Sequence, residues 1–197
     1  MKDQTLGSNL NLLFVGQVMA LLVSVLGLFG ISGGLWGMVN LASLIVVMIA
    51  LSRLRSQHSD YGKAFVYEII LIVFALISGI LLVVIAMLPV IEWLLWPVAI
   101  LVTVGSNILN YLVVRYAVLP TANLVGDAGD LDTAALGALV NKTYLICAGV
   151  SVVCNVLGVI PLLGIVFNLL GKLVSLASIV GLGLMVYFLY RAKNCFN

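Results

Sequence analysis

Thr103, Ser106, Asn107, Asn110 and Tyr111 recur at helical spacing inside an otherwise apolar run, and Arg115 continues their face. Amides and hydroxyls aligned in this way can do two things. They can solvate a polar ligand in a pocket, or they can hydrogen-bond one helix to the next for around 1 kcal/mol each. A second stripe, Cys147, Ser151, Cys154, Asn155 and Gly158, and a third, Gln17, Ala20, Ser24 and Gly27, have the same small or polar character. Small residues let helix backbones approach, so these types favour helix packing first and a polar pocket second.

Glu68 is the one carboxylate inside an apolar segment. A charge in mid-bilayer costs roughly 3 kcal/mol on insertion scales, so it calls for a partner. Arg115 lies at a similar depth on the following segment, and the expectation is that the two approach, directly or through Asn110 or Tyr111. The candidate set is therefore Gln17, Glu68, Thr103, Ser106, Asn107, Asn110, Tyr111, Arg115, Ser151 and Asn155. Lys172 and Glu92 read as edge residues, Lys172 with its stem in lipid and its ammonium at the headgroups. Asn40 and Asn168 are too isolated to define a site.

Other chemistries lack their residues. The run Asp127, Asp130 and Asp132 lacks the alternation, the central glycine and the closing glutamate of a calcium loop, and reads as a helix-capping linker. His58 is the only histidine, with no partners for a metal site or a catalytic triad. Cys147 and Cys154 are about 10 Å apart on one helix and cannot bridge. There is no phosphate-binding loop, dinucleotide fingerprint or zinc-protease motif, so no catalytic residue, metal or cofactor is expected. A net charge of +2 with no basic stripe excludes nucleic acid as a partner.

The elements that must position these residues follow from composition. The chain is 64% hydrophobic and only 8% charged. A soluble domain is about a quarter charged, and so few charges cannot cover a water-exposed surface. Six apolar runs, at 10–31, 35–52, 64–88, 97–114, 144–163 and 169–190, approach the roughly 20 residues needed to cross a bilayer. The first is long for a signal-peptide core and reads as a retained span. The predicted fold is an all-α integral membrane protein of three antiparallel hairpins, at 10–52, 64–114 and 144–190. Polar linkers occupy 53–63 and 115–143, the second with a short helix through 134–140, and tails occupy 1–9 and 191–197. Leu41-Ala42-Ser43 matches Leu176-Ala177-Ser178, which suggests parallel internal repeats.

Lys2, Arg53, Arg55, Lys63, Arg115, Lys142, Arg191 and Lys193 fall on the linker side and only Lys172 on the other. The positive-inside rule makes the linker side cytoplasmic, with both termini there, in a cell membrane. Trp36, Trp93 and Trp96 fall at the opposite ends, and the tyrosines near the linker ends, as an interfacial belt requires. Asp60 is placed to cap the third span, Asp130, Asp132 or Thr133 to cap the short helix, Pro97 in the first turn of the fourth span, and Pro161 at the end of the fifth. The sequence resembles no family closely enough to carry a function. The reading it favours is a non-enzymatic component that binds a partner protein, a homo-oligomer copy or lipid within the bilayer. The alternative is a small transporter or channel with a cytoplasm-facing polar pocket. A water-accessible cavity lined by the candidate residues would favour the second, and dry packing the first.

Overall fold

A computed structural model describes residues 4–30, 34–88, 94–158 and 161–196, with the side chains at 34–36, 161–165 and 168 outside that description. Glu92 and Trp93, and the side chains of Trp36 and Asn168, therefore lie outside the described residues. The described chain forms six helices: α1 (Gln4–Leu28), α2 (Gly34–Leu54), α3 (Ser59–Met87), α4 (Leu95–Asp127), α5 (Leu131–Leu157) and α6 (Pro161–Phe196). All six are long and apolar enough to cross a membrane. Each packs on the next in sequence, and α6 returns against α1, so the neighbour contacts close into a ring. The α2–α3 seam is the sparsest contact in that ring.

The helices overrun the apolar segments that predict them. Residues 115–143 form no linker with its own short helix: α4 continues to Asp127, α5 begins at Leu131, and only Ala128–Asp130 turn between them. Polarity marks where an apolar run stops, not where its helix ends. Residues 117–125 still bury Ala117, Val118, Thr121, Ala122 and Val125, which rewards staying helical. Pro120 sits inside α4 and costs it one backbone hydrogen bond without ending it.

Caps refine the boundaries. His58, not Asp60, caps α3, its ring nitrogen Nδ1 accepting the Asp60 amide at 3.2 Å. Asp60 instead lies in the first turn, where a carboxylate suits the helix dipole, and takes Lys63 Nζ at 2.7 Å. Of the three candidates Asp130, Asp132 and Thr133, it is Asp130 that caps α5, accepting the Thr133 amide at 2.9 Å and its hydroxyl at 2.6 Å. Pro161 opens α6 rather than closing α5, a position where the missing N–H is harmless.

The buried core lies at the linker end. It includes Leu6, Leu10, Leu51, Leu54, Tyr61, Val118, Val140, Phe188 and Leu189. Over residues 17–28, 34–42, 71–87, 95–112, 143–157 and 161–182, the only buried residues described are Ser78, Ile85, Cys154 and Gly181. Close backbone approaches knit the packed end. A Cβ on Gly16 would lie 2.7 Å from Val47 Cγ2, and one on Gly137 would lie 2.7 Å from Ala122 Cβ and 2.9 Å from Phe188. Polar fasteners hold α6 in place: Lys193 Nζ donates to Asn11 Oδ1 at 2.8 Å and lies 4.1 Å from the Phe14 ring centroid, while Arg191 reaches Asp130 at 3.5 Å.

Candidate functional site: a central polar chamber

Directly beyond the packed end the helices line a partly open cavity of about 270 Å³. Each helix contributes at least one polar side chain to it, and Gln17, Ser43, Glu68, Asn110, Tyr144 and Ser178 come one from each. Helix geometry explains why these line up. One turn toward the linker end from five of them stand buried apolar residues, Leu13, Val47, Ala64, Val114 and Val140, and on α6 Met185 lies two turns along. The chamber therefore has an apolar floor and a polar tier above it. Ser24 and Asn40 add polar groups farther up.

The apolar residues of the chamber gather on its linker side. The floor, which includes Leu13, Val47, Leu51, Val113, Val114 and Met185, stands between the chamber and the linker end.

Glu68 is only 4% exposed. Its carboxylate has neither hydrogen bond nor ion pair among the described residues. Arg115 does not meet it. The Arg115 side chain is exposed and lies 5.9 Å from the Tyr116 ring. Five residues past Asn110 at about 100° each is some 140° around the helix, so a residue at 115 cannot share the chamber face. The three chamber serines are turned the other way. Ser43 donates to the Gly16 carbonyl at 2.8 Å, Ser24 to Ala20 at 2.9 Å and Ser178 to Val174 at 2.9 Å. Each has spent its one proton on backbone and can offer only lone pairs to whatever fills the space.

The remaining candidates divide between packing and two side cavities. Asn107, Asn110 and Tyr111 line a small pocket with Thr143, Tyr144, Cys147 and Ser178, next to the chamber through their shared residues. Asn107 Nδ2 donates to the Thr103 carbonyl at 2.9 Å and to Ser151 Oγ at 3.3 Å, tying α4 to α5. Thr103 donates to Ala99 within its own helix. Asn155 folds back on the Ser151 carbonyl at 2.7 Å. Ser151 and Asn155 line a further cavity of about 260 Å³ with Lys172, so Lys172 sits beside polar groups. Ser106 is half-buried and lines none of these three cavities.

So the single predicted stripe on α4 splits: Asn110 enters the chamber, while Asn107 and Tyr111 turn toward α5. Sequence reasoning missed Ser43, Tyr144 and Ser178 and set Asn40 aside. The Leu-Ala-Ser match held a usable signal for two of them, since Ser43 and Ser178 end its two copies and both line the chamber. No group of three or more metal-ligating side chains occurs among the described residues. No protein-family model, curated protein or solved structure matches the chain.

Proposed function

We propose that this chain is a small multi-pass transporter or channel of the cell membrane, with the central chamber as its solute site. The observation that carries this reading is the tier of six polar side chains, one from each helix, around a 270 Å³ space with a Glu68 that has no partner among the described residues. A bundle built only to hold neighbours together would pack those groups against each other, since an unsatisfied polar group in an apolar medium costs several kcal/mol. The candidate residues alone left packing ahead; the space between them favours solute binding.

In this reading the helices cross the bilayer as three hairpins with both termini in the cytoplasm. Exposed residues such as Leu76, Ile77, Ile80 and Leu101 support it, because water solvates such a surface poorly and lipid solvates it well. The cationic linker side would face the cytoplasm. The packed floor then closes the chamber on the cytoplasmic side, which is how a carrier stands when its site faces outward.

Cysteine accessibility in native membranes tests the reading. In a background lacking Cys147, Cys154 and Cys195, cysteines replace Ser43, Ser178 and, as lipid-facing controls, Leu76 and Leu101. Chamber cysteines are expected to react with a small hydrophilic thiol reagent and the controls to stay unreactive. Chamber positions as inert as Leu76→Cys would mean dry packing and defeat the proposal.

A further inference from the structure

Resting on the solute-chamber reading, we infer that the ligand is a small organic ammonium cation, held by Glu68 at the polar tier with its alkyl part on the apolar floor. Three observations carry this. Glu68 is a carboxylate with no partner among the described residues, 4% exposed, on the chamber wall. Among the described lining residues there is no lysine or arginine to answer it. The hydroxyls of Ser24, Ser43 and Ser178 have given their protons to backbone carbonyls and present acceptors only. A carboxylate that shares its chamber with three acceptor-only serine hydroxyls and no cationic side chain disfavours an anion. An ammonium group, with donors and no acceptor, suits that lining.

Size and wall chemistry separate an organic cation from a bare metal ion. A dehydrated alkali ion needs oxygens closing on it from every side, whereas this space of about 270 Å³ is far larger. Its floor of Leu13, Val47, Leu51, Val114 and Met185 offers nothing to a hydrated ion. The same floor takes an alkyl chain, in the usual pattern of a mostly apolar pocket with a few oriented polar groups. The amides of Gln17, Asn40 and Asn110 make no hydrogen bond within the described protein and can turn their oxygens to the same cation.

The test uses the full chain in detergent micelles, with n-butylammonium chloride as the probe. Thermal unfolding is followed at constant ionic strength, with potassium chloride, sodium butyrate and n-butanol as comparison arms. Saturable stabilisation by butylammonium alone is expected, and Glu68→Gln should weaken it about tenfold or more, the worth of one charge-assisted bond. Wild-type protein gives a second readout: a hydrophobic carbodiimide should modify Glu68, located by peptide mass, and butylammonium should slow that reaction. This arm stands even if Glu68→Gln does not fold. Equal stabilisation by potassium, or by butyrate, or carbodiimide labelling indifferent to the amine, would overturn the assignment. Reactive chamber cysteines with no amine binding would defeat only the cation; inert chamber cysteines would defeat the chamber with it.

Discussion

Replacing Gly16 by alanine tests how tightly the linker end is closed. The new Cβ would stand 2.7 Å from Val47 Cγ2, 3.2 Å from the Val47 nitrogen and 3.4 Å from the Ser43 carbonyl oxygen. Neither neighbour can step aside. Val47 is 4% exposed and, being β-branched in a helix, has essentially one rotamer; the other atoms are backbone. Such overpacking costs about 2–3 kcal/mol, offset by about 1 kcal/mol because alanine is the better helix former, for a net loss of about 1–2 kcal/mol. Gly27, also in α1, has nothing within 4 Å of an added Cβ, so Gly27→Ala should gain up to about 1 kcal/mol. The two variants should thus differ by about 2–3 kcal/mol and in sign. The hydrogen bond from Ser43 to the Gly16 carbonyl adds a second arm. Ser43→Ala alone should cost about 0.6 kcal/mol or somewhat more, but little once Gly16→Ala has pushed α1 from α2. Equilibrium unfolding in mixed micelles, followed by circular dichroism, measures all four. Gly16→Ala as harmless as Gly27→Ala, with Ser43→Ala costing the same in both backgrounds, would refute the close approach.

Tyr61 and Thr121, both fully buried, meet at 2.7 Å, and Thr121 donates its proton to the Ala117 carbonyl, so Tyr61 must be the donor between them. Tyr61→Phe should then cost about 1 kcal/mol in the same unfolding assay, while Thr121→Val strands a buried phenol donor and should cost about 1–3 kcal/mol; the reverse order would contradict the assignment. The hydroxyl and amide of Thr133 hold the Asp130 carboxyl below its ordinary value, helped by Cys195 and Arg191. A lowered folded value means its contribution is complete above the unfolded aspartate pKa of about 4 and disappears as pH falls through the folded value. Thermal stability should drop on acidification over that window, and Asp130→Asn, which keeps a cap but no charge, should flatten this part of the profile. Gly137→Ala should lower the melting temperature through its clash with Ala122 and Phe188, and Phe188→Leu in the same chain should recover part of the loss by vacating the ring's space.

Composition alone decides that six helices arise and that each is apolar enough for a bilayer, because run length and the scarcity of charge are local properties of the chain. Helix caps are partly local too: Asp130 reads correctly three residues before Thr133, whereas His58 was concealed by a residue type that rarely caps. The chamber is a different kind of fact. Glu68 and Asn110 are legible as odd polar residues in apolar segments, yet nothing in either segment says that they share one space while Arg115 turns away. That depends on how each helix is rotated within the ring, and the rotation is set by packing at the far end: Gly16 against Val47, Gly137 against Ala122 and Phe188, Tyr61 against Thr121. Nearly uniform apolar helices carry no strong face of their own to settle this. Only the close contacts between distant parts of the chain choose which polar side chains point inward, and so place a carboxylate on the chamber wall.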